Sequence, residues 1–166
     1  DDVRAVKELS TACVFAKVTL GITIDLDTGM GRTGVLPGDT TLTLARTIND
    51  FPALTLEGLH VYDGHLLDFK SDDREIAASE SIRKAVEIRR CLEKEGLEVK
   101  SLIASGSSEF MFTVSNLDVE EVSPGTWIFW DTSYDESVSS PFQWAALVLS
   151  SVISIPRPRL DYLGCW

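Results

Sequence analysis

The sequence predicts an α/β fold built around a parallel β-sheet, on three observations. Short apolar segments rich in β-branched residues alternate with longer segments of helical periodicity, about four times along the 166 residues. Each apolar segment ends in glycine or polar residues, as strands do where a parallel sheet carries its ligand site. Hydrophobic residues make up 44% of the chain, which is enough for the core of one globular domain.

The first unit starts with a helix. Apolar residues at spacings of three and four predict a helix over 2–18, and the apolar, β-branched segment 20–26 predicts a buried strand. A glycine-rich loop occupies 29–34. Pro37-Gly38-Asp39 then supplies a turn and a helix cap before a second helix over 40–49.

The second unit repeats the same order. A strand over 54–61 runs into Tyr62-Asp63-Gly64-His65, and a long helix over 72–95 follows. Gly96 stands where a glycine commonly ends a helix. Strand, loop and helix in this repeated order favour a second strand parallel to the first.

The third and fourth units are shorter. A strand over 99–104 precedes Ser105-Gly106-Ser107-Ser108, and a short helix is predicted over 109–114. Ser123-Pro124-Gly125 predicts a turn. The apolar segment 126–130 after this turn predicts a fourth strand.

Composition and charge exclude several classes of protein. The formal net charge of −11 repels phosphate backbones, so nucleic-acid binding is not expected. The longest apolar run, 144–155, is shorter than the roughly 20 residues of a membrane helix, and no signal peptide opens the chain at Asp1-Asp2. Three cysteines without close spacing suit neither a disulfide framework nor a zinc site, and Cys13 and Cys91 fall in helical patterns that predict buried thiols. We expect a reducing, cytoplasmic setting.

The glycine loop, Asp27 to Gly34, carries three glycines and one arginine. Glycine allows positive φ and close approach of the backbone to a ligand, and an arginine fixed in such a loop offers donors to an anionic or phenolic oxygen. The alternative is a set of tight turns in which Arg32 pairs with Asp27 or with a surface carboxylate. Glycine spacing alone does not decide between these two interpretations.

The second strand end holds an aromatic residue and both histidines of the chain. Tyr62 suits flat packing against a heterocyclic ring or a place in the core, and His65 suits an acid or base, a helix cap, or a pair with Asp63. A metal site formed by His60, Asp63 and His65 is disfavoured, because strand alternation points His60 and Asp63 to opposite faces.

The serine-rich loop, Ser105 to Ser108, lies between a predicted strand and a predicted short helix. Backbone N–H groups at a helix start, together with small hydroxyls, suit an anion. An ordinary serine cap is the alternative. Asp131 to Tyr134 follow the fourth predicted strand in the same way. Four polar strand ends on the same edge of one sheet favour a functional rim over turn chemistry alone.

Four motifs, in this order, resemble the D-threonine aldolase and D-serine dehydratase family of fold-type III pyridoxal 5′-phosphate (PLP) enzymes, which are relatives of alanine racemase. The motifs are residues 24–35 (IDLDTGMGRTGV), 58–66 (GLHVYDGHL), 104–108 (ASGSS) and 122–131 (VSPGTWIFWD), the last followed by Tyr134. The first two motifs are specific, and the other two support them through their order and spacing. The resemblance extends over nearly the whole chain.

The resemblance implies a role for each motif. Arg32 would contact the phenolic oxygen of PLP, and Tyr62 would stack on its pyridine ring. Asp131 and Tyr134 would line the pocket near the ring or the phosphate. The implied activity is aldol cleavage of, or β-elimination from, a small D-β-hydroxy amino acid by a PLP-dependent lyase. The residues implied for the phosphate are Gly106, Ser107 and Ser108.

The family fold is an eight-stranded β/α barrel followed by a β-rich domain, often in a dimer. The chain resembles about the second half of that barrel, which implies a partial barrel over 1–140 and the start of a truncated C-terminal β domain over 141–166. One or two strands are predicted over 142–155, and Pro156 and Pro158 end them. A half-barrel leaves edge strands and apolar surface uncovered, so we expect a homodimer or a larger assembly.

Departures from the family pattern limit the implied activity. Asp25 and Ser123 stand where alanine racemases carry a lysine and an arginine, which favours the aldolase or dehydratase branch over an amino-acid racemase. The family's divalent-metal ligands lie in the later domain. The chain also lacks a lysine at the end of a predicted strand to form the Schiff base, so the chain alone is expected to be inactive. Its six lysines are Lys7, Lys17, Lys70, Lys84, Lys94 and Lys100.

Two other functions stay open. One is a non-catalytic binding or assembly module that keeps the anion site for another phosphorylated ligand. The other is a different phosphate-using β/α enzyme with His65 or Asp63 as its base. A PLP site requires Arg32 and Tyr62 to face one cavity with the serine-rich loop, which distinguishes it from both.

Overall fold

The computed structural model of the chain describes residues 1–138 and 142–155. These residues form a parallel sheet in the order β1-β2-β3-β4 with helices packed against it, which confirms the predicted α/β fold. The elements in chain order are α1 (Val3–Ala16), β1 (Leu20–Leu26), α2 (Asp39–Asp50), β2 (Leu54–Val61), a 3-10 helix (Gly64–Asp68), α3 (Ser71–Lys94), β3 (Ser101–Ala104), α4 (Phe110–Thr113), β4 (Glu121–Val122), a second 3-10 helix (Thr126–Ile128) and α5 (Thr132–Ser137).

The pairing of β1 with β2 is the longest in the sheet, and the paired segments shorten toward β4. β1 and β2 pair from Leu20 opposite Leu54 to Leu26 opposite Val61, with one irregularity in register at Glu57. β3 pairs with β2 over three residues, and β4 pairs with β3 over two. Because all four strands are parallel, the loops that follow them leave the sheet at one edge.

Apolar side chains from alternate strand positions and from the helices α1, α2 and α3 form the core. Ile24 of β1, Leu59 of β2 and Leu102 of β3 are at most 1% exposed. Ile48 of α2 and Leu92 of α3 cover them and are fully buried. Burying one such side chain contributes roughly 1.5–3 kcal/mol. These apolar residues therefore fix which face of each strand packs on the helices, and polar residues take the other face.

The predicted strand over 126–130 is wrong. β4 lies earlier, at Glu121–Val122, and Thr126–Ile128 form a 3-10 helix. The N–H groups of Phe129 and Trp130 both donate to the Thr126 carbonyl, at 3.1 and 2.7 Å. These local bonds close the chain on itself, so the run of apolar residues here does not reflect a strand.

The strands predicted over 142–155 are also wrong, since the described residues 142–155 form no strand. Residues 143–155 are exposed, and their contact with the rest of the fold includes one bond from the Ala145 N–H to the Phe129 carbonyl at 2.8 Å. A strand needs a neighbouring strand to satisfy its backbone, and none of the four described strands lies alongside this segment. The predicted division at 140/141 and the stop after 155 fall outside the described residues and stay predictions.

The two described cysteines differ from each other. Cys13 is buried, as predicted, whereas Cys91 is exposed, so the prediction of a buried thiol at Cys91 is wrong. On α3 the neighbouring Leu92 takes the position that faces the core. No helix in the described part of the chain is both long enough and apolar enough to cross a membrane.

Candidate active site at the carboxyl edge of the sheet

The glycine loop after β1 is closed by bonds between its ends. The Val35 N–H donates to the Asp25 carbonyl, and the Asp27 N–H donates to the Val35 carbonyl, both at 2.9 Å. Gly34 permits this return, because its φ is +94° and a Cβ there would lie 2.8 Å from the Asp27 nitrogen. The loop therefore carries Arg32 between two fixed ends.

Asp27 stabilises the same loop from within. Its Oδ1 accepts hydrogen bonds from the N–H groups of Gly29 and Gly31, each at 3.0 Å. These bonds, with the Gly31 bond first, lower the pKa of the Asp27 carboxyl. Because the carboxylate is engaged with the backbone, the predicted alternative of an Arg32–Asp27 pair does not occur in the described residues.

Arg32 instead lies over the ring of Tyr62. The guanidinium carbon is 4.7 Å from the ring centroid. Arg32 is exposed and Tyr62 is half-buried, and a cation–π contact at such a site contributes roughly 0.5–1 kcal/mol. The fold thus brings together two residues from the loops after β1 and β2, which are 30 positions apart in the sequence.

The Tyr62 ring also contacts the serine-rich loop. A Cβ at Gly106 would lie 2.9 Å from Tyr62 Cε2, so this approach requires glycine. Alternation at the end of β2 and in the two residues after it leaves His60 and Tyr62 half-buried, while Val61 and Asp63 are buried. Loops from three neighbouring strands therefore meet at the Tyr62 ring.

The serine-rich loop is buried, and several of its polar groups are bonded within the protein. The Thr126 N–H donates to Ser107 Oγ at 2.9 Å. Glu109 is 0% exposed, and its carboxyl accepts from the Gly106 N–H at 3.1 Å and from the Ser108 hydroxyl. The donors predicted for an anion are therefore partly occupied by an internal carboxyl group.

Glu109 is absent from the sequence prediction, although its spacing carried a signal. A glutamate three residues after Gly106 matches the half of a capping box in which the acid bonds the backbone N–H before a helix. The helix that follows, α4, is only four residues long, so the pattern has no long apolar run behind it. Burial raises the pKa of Glu109, against the bonds from Ser108 and Gly106.

We expect Glu109→Gln to flatten the pH dependence of stability. The raised pKa means that the folded chain holds this proton more tightly than the unfolded chain. The linked stability is present below the ordinary pKa of glutamate and is lost as the pH rises through the raised value. Urea unfolding at several pH values should show that the free energy of unfolding falls less with rising pH in the variant than in the wild type. The exposed Glu75→Gln is the control, and the same pH dependence in all three proteins would contradict the burial of Glu109.

Asp63 and His65, in the segment that follows β2, support the glycine loop. Asp63 is 1% exposed, and its Oδ1 accepts from the Thr28 hydroxyl at 2.7 Å. Burial raises the pKa of Asp63, against the bond from Thr28. A Cβ at Gly29 would lie 2.8 Å from His65 Nε2, so the imidazole packs directly on the loop. The role of His65 or Asp63 as a base stays a prediction.

Tyr134 is half-buried in the short helix α5, and Asp131 caps that helix. Asp131 is exposed, and its Oδ1 accepts from the N–H groups of Ser133 and Tyr134 at 2.9 and 3.1 Å, at the start of α5. Burial is the main cause that raises the pKa of Tyr134, and the nearby Tyr62 and Glu109 act in the same direction. The ring of Tyr134 packs on Trp130, with 5.5 Å between the ring centroids, and pocket roles for Tyr134 and Asp131 both stay predictions.

All six lysines fall within the described residues, and none of them lies in the last positions of a strand. Lys100 precedes β3 and pairs with Glu57 at 2.9 Å. Lys84 of α3 lines a cavity of about 660 Å³ on the α3 side of the glycine loop, together with Asp27 and Cys91. This α3-side cavity is not lined by Arg32 or Tyr62.

The metal site weighed for His60, Asp63 and His65 is not formed. Within 1–138 and 142–155, no three histidine, cysteine, aspartate or glutamate side chains lie close enough to hold one metal ion. His60 Nδ1 instead lies 2.8 Å from Asp25 Oδ1, on the face of β2 opposite Asp63.

Known proteins similar to this chain include two aldolases. It is 28% identical over 169 residues to a 3-hydroxy-D-aspartate aldolase of Paracoccus denitrificans (strain Pd 1222), covering 96% of this chain and 44% of that protein. It is 25% identical to a D-threonine aldolase of Arthrobacter sp, covering 95% and 43%. The crystal structure of D-threonine aldolase from Filomicrobium marinum matches with a TM-score of 0.82 and 26% identity, over 87% of this chain and 41% of that one. The chain therefore spans less than half the length of these relatives.

The family model described as alanine racemase, N-terminal domain, matches residues 1–133. This match covers well over half of the 166 residues and includes the glycine loop, Tyr62 and the serine-rich loop. The parallel sheet with its helices agrees with the partial barrel expected from the sequence. The chain thus belongs to the alanine racemase N-terminal domain family.

Proposed function

We propose that the chain provides the cofactor-binding face of a PLP-dependent lyase that acts on D-β-hydroxy amino acids by aldol cleavage or β-elimination. Its family membership and its similarity to aldolases support the proposal at the coarser level. The single observation that carries the finer proposal is the contact between Arg32 and Tyr62 beside Gly106.

The residues around Tyr62 fit the aromatic part of PLP. An aromatic face packs well on a heterocycle, and the planar guanidinium of Arg32 suits a phenolic oxygen. Because Arg32 lies over the Tyr62 ring, a heterocycle would compete with it for that face. The cation–π contact between Arg32 and Tyr62, which the ligand would displace, contributes only roughly 0.5–1 kcal/mol. One charge-assisted hydrogen bond from Arg32 to the ligand would offset this loss.

The serine-rich loop fits a phosphate group when Glu109 is neutral. A carboxylate beside a phosphate would repel it strongly at low dielectric. Burial raises the pKa of Glu109 and so favours the neutral carboxyl. The Ser107 hydroxyl is then a donor available to the anion, and the Gly106 N–H and the Ser108 hydroxyl would exchange their bonds to Glu109 for bonds to the anion. We therefore expect phosphate binding to depend on the proton of Glu109.

The part of this chain in the reaction would be to bind and orient. PLP supplies the electron sink that stabilises bond cleavage beside the substrate amino group. Tyr62 would hold the plane of the ring, Arg32 the phenolic oxygen, and the serine-rich loop the phosphate. Because no lysine occupies the last positions of a described strand, we expect non-covalent binding and negligible catalysis by this chain alone.

Titration of the chain with PLP, followed by tryptophan fluorescence, tests the proposal. We expect saturable binding, and we expect Arg32→Met to weaken it about tenfold, which corresponds to roughly 1.4 kcal/mol. Arg4→Met, at an exposed position of α1, should leave the affinity unchanged. After borohydride reduction, peptide mapping should show no lysine whose labelling by PLP follows the binding curve. The absence of saturable binding, or equal affinity of the wild type and Arg32→Met, would refute the proposed site.

A second candidate function is a non-catalytic binding module for another phosphorylated ligand. The observation that favours it is the placement of the lysines away from the strand ends. Competition between PLP and glycerol 3-phosphate distinguishes the two functions. A PLP enzyme should prefer PLP, because only PLP uses Tyr62 and Arg32, whereas a general phosphate module should bind both with similar affinity.

We also propose that the chain self-associates. Phe15 is 91% exposed, and Leu149 and Ile153 are 100% and 97% exposed, while β1 forms one edge of the sheet. Exposed apolar side chains and sheet edges favour pairing with another chain. Sedimentation velocity at micromolar concentration should therefore show a dimer or a larger species. A single monomeric boundary would contradict this expectation.

A further inference from the structure

A row of adjacent polar side chains crosses the carboxyl edge of the sheet. Asp25 of β1 and His60 of β2 are register partners, and His60 Nδ1 lies 2.8 Å from Asp25 Oδ1. On its other side, His60 Nε2 lies 3.5 Å from the hydroxyl of Ser123, which follows β4. The Thr33 hydroxyl donates to Asp25 Oδ2 at 2.8 Å. The fold thus arranges an aspartate, a histidine and a serine in a line.

Asp25 determines which nitrogen of His60 carries the proton. A carboxylate accepts hydrogen bonds, so the imidazole proton lies on Nδ1 and Nε2 keeps a lone pair. The Ser123 hydroxyl donates to the Ser105 carbonyl at 3.0 Å, so it offers Nε2 no proton in this arrangement. Two lone pairs then face each other, which accounts for the long separation of 3.5 Å. Nε2 is therefore an unfilled proton acceptor, and Asp25 is placed to stabilise the imidazolium.

This acceptor lies on the side of the sheet that carries the candidate active site. His60 and Tyr62 share one face of β2. The side chains of His60 and Asp25 are 29% and 31% exposed, so a ligand can reach them. Ser123 is bonded to Ser105, the first residue of the serine-rich loop. The row is thus connected to the same loops that meet at Tyr62.

We propose that His60, supported by Asp25, is the proton acceptor of this site and takes the proton of a ligand hydroxyl group. The inference rests on the proposed function, because aldol cleavage of a β-hydroxy amino acid requires a base for the hydroxyl. In this step the ligand O–H bond breaks, its proton bonds to His60 Nε2, and the electron pair stays on the ligand oxygen. Ser123 is a positioning residue, because its hydroxyl contacts the ring edge.

A purely structural strut between β1, β2 and the segment after β4 would need the same hydrogen bonds. It would not need an Nε2 that is reactive and covered by a ligand. The chain contains only two histidines, His60 and His65, so chemical modification can be assigned to each. His65 packs on the glycine loop and serves as the internal comparison.

Modification by diethyl pyrocarbonate at neutral pH, followed by peptide mass spectrometry, tests the inference. We expect His60 to react, and PLP at ten times its Kd to slow that reaction about tenfold. Asp25→Asn should slow it roughly tenfold, because an amide can donate to Nδ1 and shift the ring proton to Nε2. The exposed Asp68→Asn is the matched control and should leave the rate unchanged.

The outcomes separate this inference from the proposed function. The inference would be supported if PLP protects His60 from modification and if His60 is modified more slowly in Asp25→Asn than in the wild type. An unreactive His60 in the wild type would overturn it, and that measurement needs no variant. If PLP binds by fluorescence but leaves the His60 rate unchanged, the inference fails while the proposed function stands. If PLP does not bind, both fail.

Discussion

Replacing Arg74 with methionine should lower the free energy of unfolding by about 3 kcal/mol or more. Arg74 is 2% exposed on α3. Its guanidinium donates to the carbonyls of Leu66, Leu67 and Phe69 at 3.0, 2.8 and 2.7 Å. Those carbonyls belong to the end of the 3-10 helix that follows Tyr62. Methionine keeps much of the volume but removes every donor, and hydrogen bonds to a charged group contribute roughly 1.5–3 kcal/mol each.

Urea unfolding followed by tryptophan fluorescence measures the effect of Arg74→Met. Arg90→Met, at an exposed position on the same helix, should change stability by less than about 0.5 kcal/mol. The guanidinium of Arg74 fixes the 3-10 helix that follows Tyr62. Because Tyr62 is part of the proposed PLP site, Arg74→Met should also weaken PLP binding. A stability loss no larger than that of Arg90→Met would show that the guanidinium does not hold this segment.

Gly58→Ala should disrupt the pairing of β2 with β3 and cost about 3 kcal/mol, at the upper end of overpacking costs. A Cβ at this position would lie 2.4 Å from the Ser101 carbonyl oxygen and 2.6 Å from the Ser101 hydroxyl. Gly58 and Ser101 are ladder partners, so the oxygen cannot retreat without breaking the pairing of β2 and β3. The same ladder holds His60 opposite Ile103, so the candidate active site should loosen with it.

Gly125→Ala is the matched control for Gly58→Ala. Gly125 has φ of −92°, and no atom lies within 4 Å of its Cβ position. This substitution should be neutral or slightly stabilising, because alanine restricts the unfolded chain. Hydrogen exchange should show faster exchange of the β3 amides in Gly58→Ala only. Equal stability of the two variants would contradict the close approach of β2 to β3.

The elements that the sequence predicts well are those with a signal of their own. The long helix α3 has apolar periodicity, and Gly96, with φ of +80°, ends it where a glycine was expected. β1 and β2 are long enough to show apolar runs, although the burial predicted for 20–26 is found in β1 only at Ile24 and Leu26, because the start of β1 is left uncovered. The segments 126–130 and 142–155 show similar apolar runs, but a strand requires a partner elsewhere in the fold. That requirement is non-local, so apolar patterning alone gave the wrong element for both.

The residues of the candidate site also fall into two groups, those that a sequence motif singles out and those that only the fold brings together. Arg32, Tyr62 and Gly106 stand in motifs that single them out, and the fold brings these three together. Asp25 and His60 lie inside the first two motifs, but no role is implied for either of them, and Glu109 lies just after the third motif. Asp25 is a departure from a pattern and His60 is a strand residue, and only the register of β1 on β2 connects them. Burial of Glu109 depends likewise on packing around a four-residue helix.

The proposed function requires one ligand site formed by Arg32, Tyr62 and the serine-rich loop. The most direct test is to record ¹H–¹⁵N correlation spectra of the ¹⁵N-labelled chain during a titration with PLP. We predict amide shifts at Arg32, Tyr62 and Gly106 that saturate with one common Kd. Lys84 and Cys91, which line the α3-side cavity, should not shift. Shifts confined to the α3-side cavity, or no saturable shifts at all, would contradict a PLP site at the carboxyl edge of the sheet.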